Sequence, residues 1–159
     1  MIPRAPRNAK EVCDIQAITQ LAVAYADAVS RGDVAEACQT YAENGELHSP
    51  TTEPAIGRRA VIQTVTATTS GLEFVFLCVH QGLVQIDGDK ARARFPITEW
   101  ARRAADARPI QFLGIYEDEC IRTQKGWRFS RRTLVPRIMG NPEGLTGRVV
   151  PMEALTAWA

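Results

Sequence analysis

The chain has 159 residues, 45% of them hydrophobic and 23% charged, and a formal net charge of +1. That length fits one domain able to bury a core without staples, and the near-neutral balance gives no reason to expect nucleic acid or an anionic membrane as partner. No apolar run reaches the ~18 residues of a membrane span, and the opening MIPRAPRNAKEVC has no apolar signal core, so a cytoplasmic protein is expected.

Residues 1–9 carry Pro3 and Pro6 and read as a loose arm. From 10 to 31 the pattern is helical: Ile15, Ile18, Leu21, Ala22, Tyr25 and Val29 fall in one stripe at 100° per residue, with Tyr25 near its centre, Asp27 opposite and Ser30 to one side. Gly32 ends this helix, and Asp33 with Glu36 forms a capping-box-like start for a second over 34–42. A short extended piece, GELHSP, stops at Pro50. His48 and Ser49 are neighbours there, so only one faces inward, and Ser49 is the one expected. TTEPAIG reads as a loop and 57–69 as a threonine-rich third helix.

After Gly71 the period changes to two. Residues 72–86 read as one interior strand with Phe74, Phe76, Cys78, His80, Val84 and Ile86 on one face. The Asp-Gly in IDGDK signals a hairpin. The return strand puts Ala91, Ala93, Phe95, Ile97 and Glu99 on one face, and cross-strand pairing places Glu99 on the face of His80. RRAADARP reads as a polar loop. A second hairpin turns at TQKG, bringing Asp118 near Arg131 and Cys120 near Phe129. The segment 136–159 is a tail, a lid or a dimer contact. Cys13, Cys38, Cys78 and Cys120 show no CxxC or metal-ligand spacing and read as reduced, buried small hydrophobes. With His48 and His80 the only histidines, no metal site is expected.

Helices followed by antiparallel strands mean an α+β fold. YADAVSRGDVAEACQTYAENGELHSP, AIGRRAVIQ, HQGLVQIDGDKARAR and GIYEDECIRTQKGWRFSRR, in that order, resemble nuclear-transport-factor-2-like domains of the SnoaL-like, ketosteroid-isomerase and scytalone-dehydratase branch over 10–135. The resemblance implies a cone-shaped barrel, a strongly bent, mainly antiparallel sheet packed against three N-terminal helices around a pocket. It implies a cofactor-independent enzyme or a binding module. In scytalone dehydratase and hexachlorocyclohexane dehydrochlorinase a strand His pairs with an Asp near the end of the first helix. Here the His is matched by His80 and the Asp by Ser30, with Asp27 one turn earlier. Tyr25 is similar in position to the oxyanion-stabilising Tyr of ketosteroid isomerase, whose base Asp is matched by Ser49.

Candidate catalytic residues are therefore His80 as general base, Tyr25 as hydrogen-bond donor, Glu99 as a desolvated acid or partner, and Asp27 as an orienter. Ser30, Ser49, Phe76, Phe95 and Tyr116 are the candidate substrate-binding residues. Two functions are expected to compete. One is proton-transfer chemistry (dehydratase, isomerase or cyclase) on a small hydrophobic cyclic, polyketide- or steroid-like molecule, without cofactor. The other is a non-catalytic module that binds a small molecule or a protein. A homodimer through the outer sheet face is expected in either case.

Overall fold

The computed structural model describes residues 4–140 and the backbone of 148–149. Helix α1 (Ala9–Ser30) starts at Asn8, whose side chain accepts from the Glu11 N–H. The N-terminal arm is not loose where it is described: Arg4 and Arg7 both bond the Glu11 carboxylate. Helix α2 (Val34–Cys38) is capped by Asp33 on the Glu36 N–H. It is shorter than its sequence pattern because Tyr41 is captured by the sheet, pairing with Phe129. Strand β1 (Tyr41–Ser49) and strand β2 (Thr52–Ile56) form an antiparallel pair. TTEPAIG is thus mostly strand; Pro54 is tolerated because β2 is a sheet edge.

Helix α3 (Arg58–Thr69) follows, then β3 (Leu72–Val79), β4 (Leu83–Asp87), β5 (Lys90–Arg103), β6 (Pro109–Thr123), β7 (Gly126–Gly140) and the short β8 (Arg148–Val149). RRAADARP is shorter as a loop than its composition suggests, since β5 and β6 run into it. The main sheet path is β2-β1-β7-β6-β5-β3, antiparallel except where β1 lies parallel to β7. The sheet is strongly bent but not closed, and the helices cover its inner face. β7 runs five residues past the expected boundary at 135, to Gly140; the rest of the expected tail, apart from the backbone of 148–149, lies outside the described residues.

Two bulges decide which side chains face inward. The first separates β3 from β4. Val79 pairs with Ile97 and Leu83 with Arg94, so the β3–β4 side carries one residue more than β5. An extra residue reverses the alternation of faces. Val75 and Leu77 point inward before the bulge, Val84 and Ile86 after it. Gly82 sits at this break because a Cβ there would overlap the Phe95 ring and the Arg94 carbonyl oxygen. The second bulge lies in β7: Arg131 pairs with Glu119 and Phe129 with Cys120, leaving Ser130 unpaired. It turns Arg132 inward, opposite Asp118, where the unbroken pattern pairs Asp118 with Arg131.

The interior strand covered on both faces is corrected accordingly. Phe74, Phe76 and Trp100 are 46%, 55% and 42% exposed on the outer face of β3 and β5. Cys38 and Cys120 are buried, whereas Cys78 is half-buried and Cys13 exposed. The inner core is built from Ile18, Ala22, Val61, Val65, Phe95, Phe129 and their neighbours.

Candidate active site

Between the helices and the concave sheet lies a cavity of about 200 Å³. Tyr25 and Val29 of α1, Thr64, Val65 and Thr68 of α3 and the β1–β2 turn close one side. Leu72, Leu77, Ile97, Glu99, Phe112, Tyr116, Leu134 and Met139 come from the sheet. The lining is largely apolar. Glu99 carries its one carboxyl group, and no lysine, arginine or histidine lines it among the described residues.

Glu99 faces inward because it continues the alternation of Ala91, Ala93, Phe95 and Ile97 on β5. Its neighbours across the strands are Leu77 and Phe112. It is half-buried, lines the cavity, and makes no hydrogen bond among the described residues. Burial pushes its carboxyl above the usual carboxylate range, since an ionised group loses most by leaving water.

Tyr25 and Tyr116 form the floor beside it, ring edge against ring, with centroids 6.0 Å apart at 88°. Burial pushes the Tyr25 phenol up to about 12 and that of Tyr116 well above its ordinary value, so both keep their protons and can donate. Beneath them is a second, sealed layer. The Arg132 guanidinium lies 4.6 Å from the Tyr25 ring centre, 4.0 Å from Tyr116 and 3.8 Å from Phe129. It is fully buried and grips Asp118 through two bonds of 2.8 and 2.7 Å. Burial alone would lower the Arg132 pKa, but the charge and hydrogen bonds of Asp118 raise it, and the guanidinium stays charged.

Of the residues expected from the sequence, Tyr25, Glu99, Ser49 and Tyr116 line one cavity. The placement of His80 is corrected. It follows β3 at the bulge, is exposed, and its Nε2 lies 2.8 Å from the Thr98 hydroxyl on the outer face. Glu99 pairs with Leu77, which has the opposite parity, so Glu99 and His80 do not share a face. Ser30 does meet β3, but its hydroxyl accepts from the Leu77 N–H at 2.9 Å. Ser30, matched in sequence to the Asp of a His–Asp pair, thus bonds the β3 backbone and meets no imidazole. Asp27 is exposed and paired with Arg31 at 2.8 Å. Phe76 lies outside, and Phe95 is sealed in the core. His48 turns away from the cavity and bonds Glu46 at 2.7 Å.

The sequence reading missed Thr64 and Thr68, which sit at helical spacing beside Val61 and Val65, and Phe112, Leu134 and Met139. Phe112 shares the alternation of Tyr116, Asp118 and Cys120 and was legible from it; the other two follow a bulge in β7 and were not.

An open α+β cone with a largely apolar inner cavity and a buried carboxyl on its wall defines a fold of nuclear-transport-factor-2 type. A family model described as a SnoaL-like domain matches residues 10–133, and the chain belongs to that family. Three solved structures illustrate the likeness. A protein from Novosphingobium aromaticivorans, provisionally named an aromatic ring hydroxylase, is 22% identical, with a TM-score of 0.77 over 86% of this chain and 95% of its own. A second from the same organism, provisionally named a scytalone dehydratase, is 18% identical, with a TM-score of 0.76 over 84% and 95%. A hexachlorocyclohexane dehydrochlorinase is 12% identical, with a TM-score of 0.78 over 84% and 92%. At these identities the likeness defines the fold. No curated protein matches the chain. Among the described residues no helix is long and apolar enough to cross a membrane.

Proposed function

We propose that the protein is a proton-transfer enzyme of the lyase or isomerase kind, acting on a small hydrophobic cyclic molecule through Glu99. One observation carries this reading. Among the described residues, the single carboxyl of a largely apolar cavity is left unpaired, beside two buried tyrosines that remain protonated. The ionised carboxylate takes a proton from the carbon next to a substrate carbonyl, while a tyrosine hydroxyl donates to the carbonyl oxygen as it gains charge. Returning that proton to another carbon completes an isomerisation. Returning it to a departing β-hydroxyl releases water and restores Glu99, which completes a dehydration. His80, the base expected from the sequence, has no part in this scheme, and side chains alone carry it.

The test is exchange of the C2 protons of 1-tetralone in heavy water, followed by proton NMR. Wild type is expected to accelerate exchange, and Glu99→Gln to reduce that acceleration by ~10²–10⁴-fold. Full exchange by Glu99→Gln would overturn the assignment. A second reading, a binding module, is favoured by Ser30, which stands where the resemblance places the Asp and has its hydroxyl on the Leu77 N–H. It expects no exchange and unchanged ligand. Under either reading, the apolar strip of Phe74, Phe76 and Trp100 supports a homodimer through the outer face. Four cysteines without a disulfide support a reducing, cytoplasmic setting.

A further inference from the structure

Among the described residues, Glu99 is the one charged side chain at the cavity wall. The titratable groups that face it are Tyr25 from α1 and Tyr116 from β6, both protonated; β1, β3, β7 and α3 present only hydroxyl and apolar side chains there. Arg132 is sealed in the layer beneath the tyrosines, and its charge is offset by the two bonds to Asp118. Burial is the influence that shifts the Glu99 carboxyl, and no cation pulls it back. A carboxylate drawn partly out of water without a counter-ion is costly, so a ligand that brings a positive charge is favoured beside it. Leu77 and Phe112 lie opposite Glu99 on the two neighbouring strands, so hydrocarbon flanks the acid on both sides.

We infer that the cavity is also a binding site for a small hydrophobic amine in its protonated form, with the ammonium group on the Glu99 carboxylate and the hydrocarbon against Leu77, Ile97 and Phe112. Three observations set the class. The Tyr25 and Tyr116 rings already hold Arg132, so the attraction for a cation comes from the carboxylate rather than from a ring face. A bare metal ion fits poorly, because one carboxyl supplies too few oxygen ligands and no group of three His, Cys, Asp or Glu gathers among the described residues. At an interior packing density of ~0.75, about 200 Å³ holds about 150 Å³ of ligand, room for one ring with a short aminoalkyl chain.

This inference shares Glu99 with the reading proposed above but concerns binding, so calorimetry tests it separately. The probes are 2-phenylethylamine, charged at pH 7.5 as a lysine amine is, and the neutral 2-phenylethanol of similar size. Wild type is expected to bind the amine about ten- to a hundredfold tighter than the alcohol, as a hydrogen bond between charged groups in place of a neutral one would give. Glu99→Gln should bring the two within about twofold of each other and leave the alcohol within about twofold of its wild-type affinity. In wild type the advantage of the amine should fall as pH is lowered through the raised pKa of Glu99, because protonation removes the counter-charge. An amine bound no tighter than the alcohol, an advantage that survives Glu99→Gln, or one that does not fall with pH overturns the inference. The amine should also compete with 1-tetralone for the site. If the amine pattern holds but no C2 exchange occurs, the proton-transfer reading fails and this one stands. If exchange occurs without the amine pattern, this inference fails and the proton-transfer reading stands.

Discussion

Two acidic side chains on neighbouring strands of the same inner face meet opposite fates. Asp118 on β6 is fully buried and accepts from Nε and Nη2 of Arg132, with three aromatic rings around the guanidinium. Glu99 on β5 is half-buried at the cavity wall with no partner among the described residues. A carboxylate needed only for architecture is neutralised where it stands, because an unpaired buried charge is costly. One left unpaired beside an open space holds its raised pKa and its hydrogen-bonding capacity for something that enters. The contrast separates scaffold from site without reference to any relative.

The largest effect is expected from breaking the sealed pair. Asp118→Ala strands Arg132 as a buried cation and should cost about 3–5 kcal/mol of stability in urea unfolding. A loss below about 1 kcal/mol would mean that the pair is not a structural one. Next comes the bulge that sets which residues face Glu99. Gly82→Ala forces a methyl into Phe95 and the Arg94 carbonyl, and about 1–3 kcal/mol of destabilisation is expected in the same assay.

Glu99 should behave in the opposite sense to a paired carboxylate. Its folded-state pKa lies above its unfolded value. Its contribution to stability is therefore present below the unfolded pKa and lost as pH rises through the folded one. Thermal unfolding of Glu99→Gln against wild type should show the variant gaining relative stability as pH rises through that window; a gain as pH falls would contradict the account. The smallest effect is expected at His80. His80→Ala removes an exposed side chain and its bond to Thr98, so stability should change by about 0.5 kcal/mol or less, with C2 exchange unaltered. A large loss of exchange would move the site to the outer face.

Much of this was legible from period and spacing. The stripe that buries Tyr25, the Asp-Gly hairpin and the inward row from Ala91 to Glu99 are local patterns, and the structure keeps them. The misreadings share one physical cause. Alternation carries a face assignment forward only while the strands pair without a bulge. One extra residue near Gly82 put His80 outside and Leu77 inside, and one at Ser130 exchanged Arg131 for Arg132 as the partner of Asp118. Gly82 was the available sign of the first, since a glycine within a strand marks a bulge or a close backbone approach; Ser130 offers no such sign. Strand β2 was misread for another reason. Glu53 and Pro54 argue against a strand, and only the edge position of β2 makes them acceptable.

The central claim is that Glu99 is a desolvated, unpaired carboxyl at the working surface of the cavity. Carbon-13 NMR titration of its side-chain carboxyl, assigned by the signal lost in Glu99→Gln, tests this most directly. A midpoint above the ~4.3 of an unperturbed glutamate is expected, moving further upward when 1-tetralone, which offers only an acceptor, binds and excludes water. A midpoint at or below ~4.3, unmoved by the ligand, would contradict it.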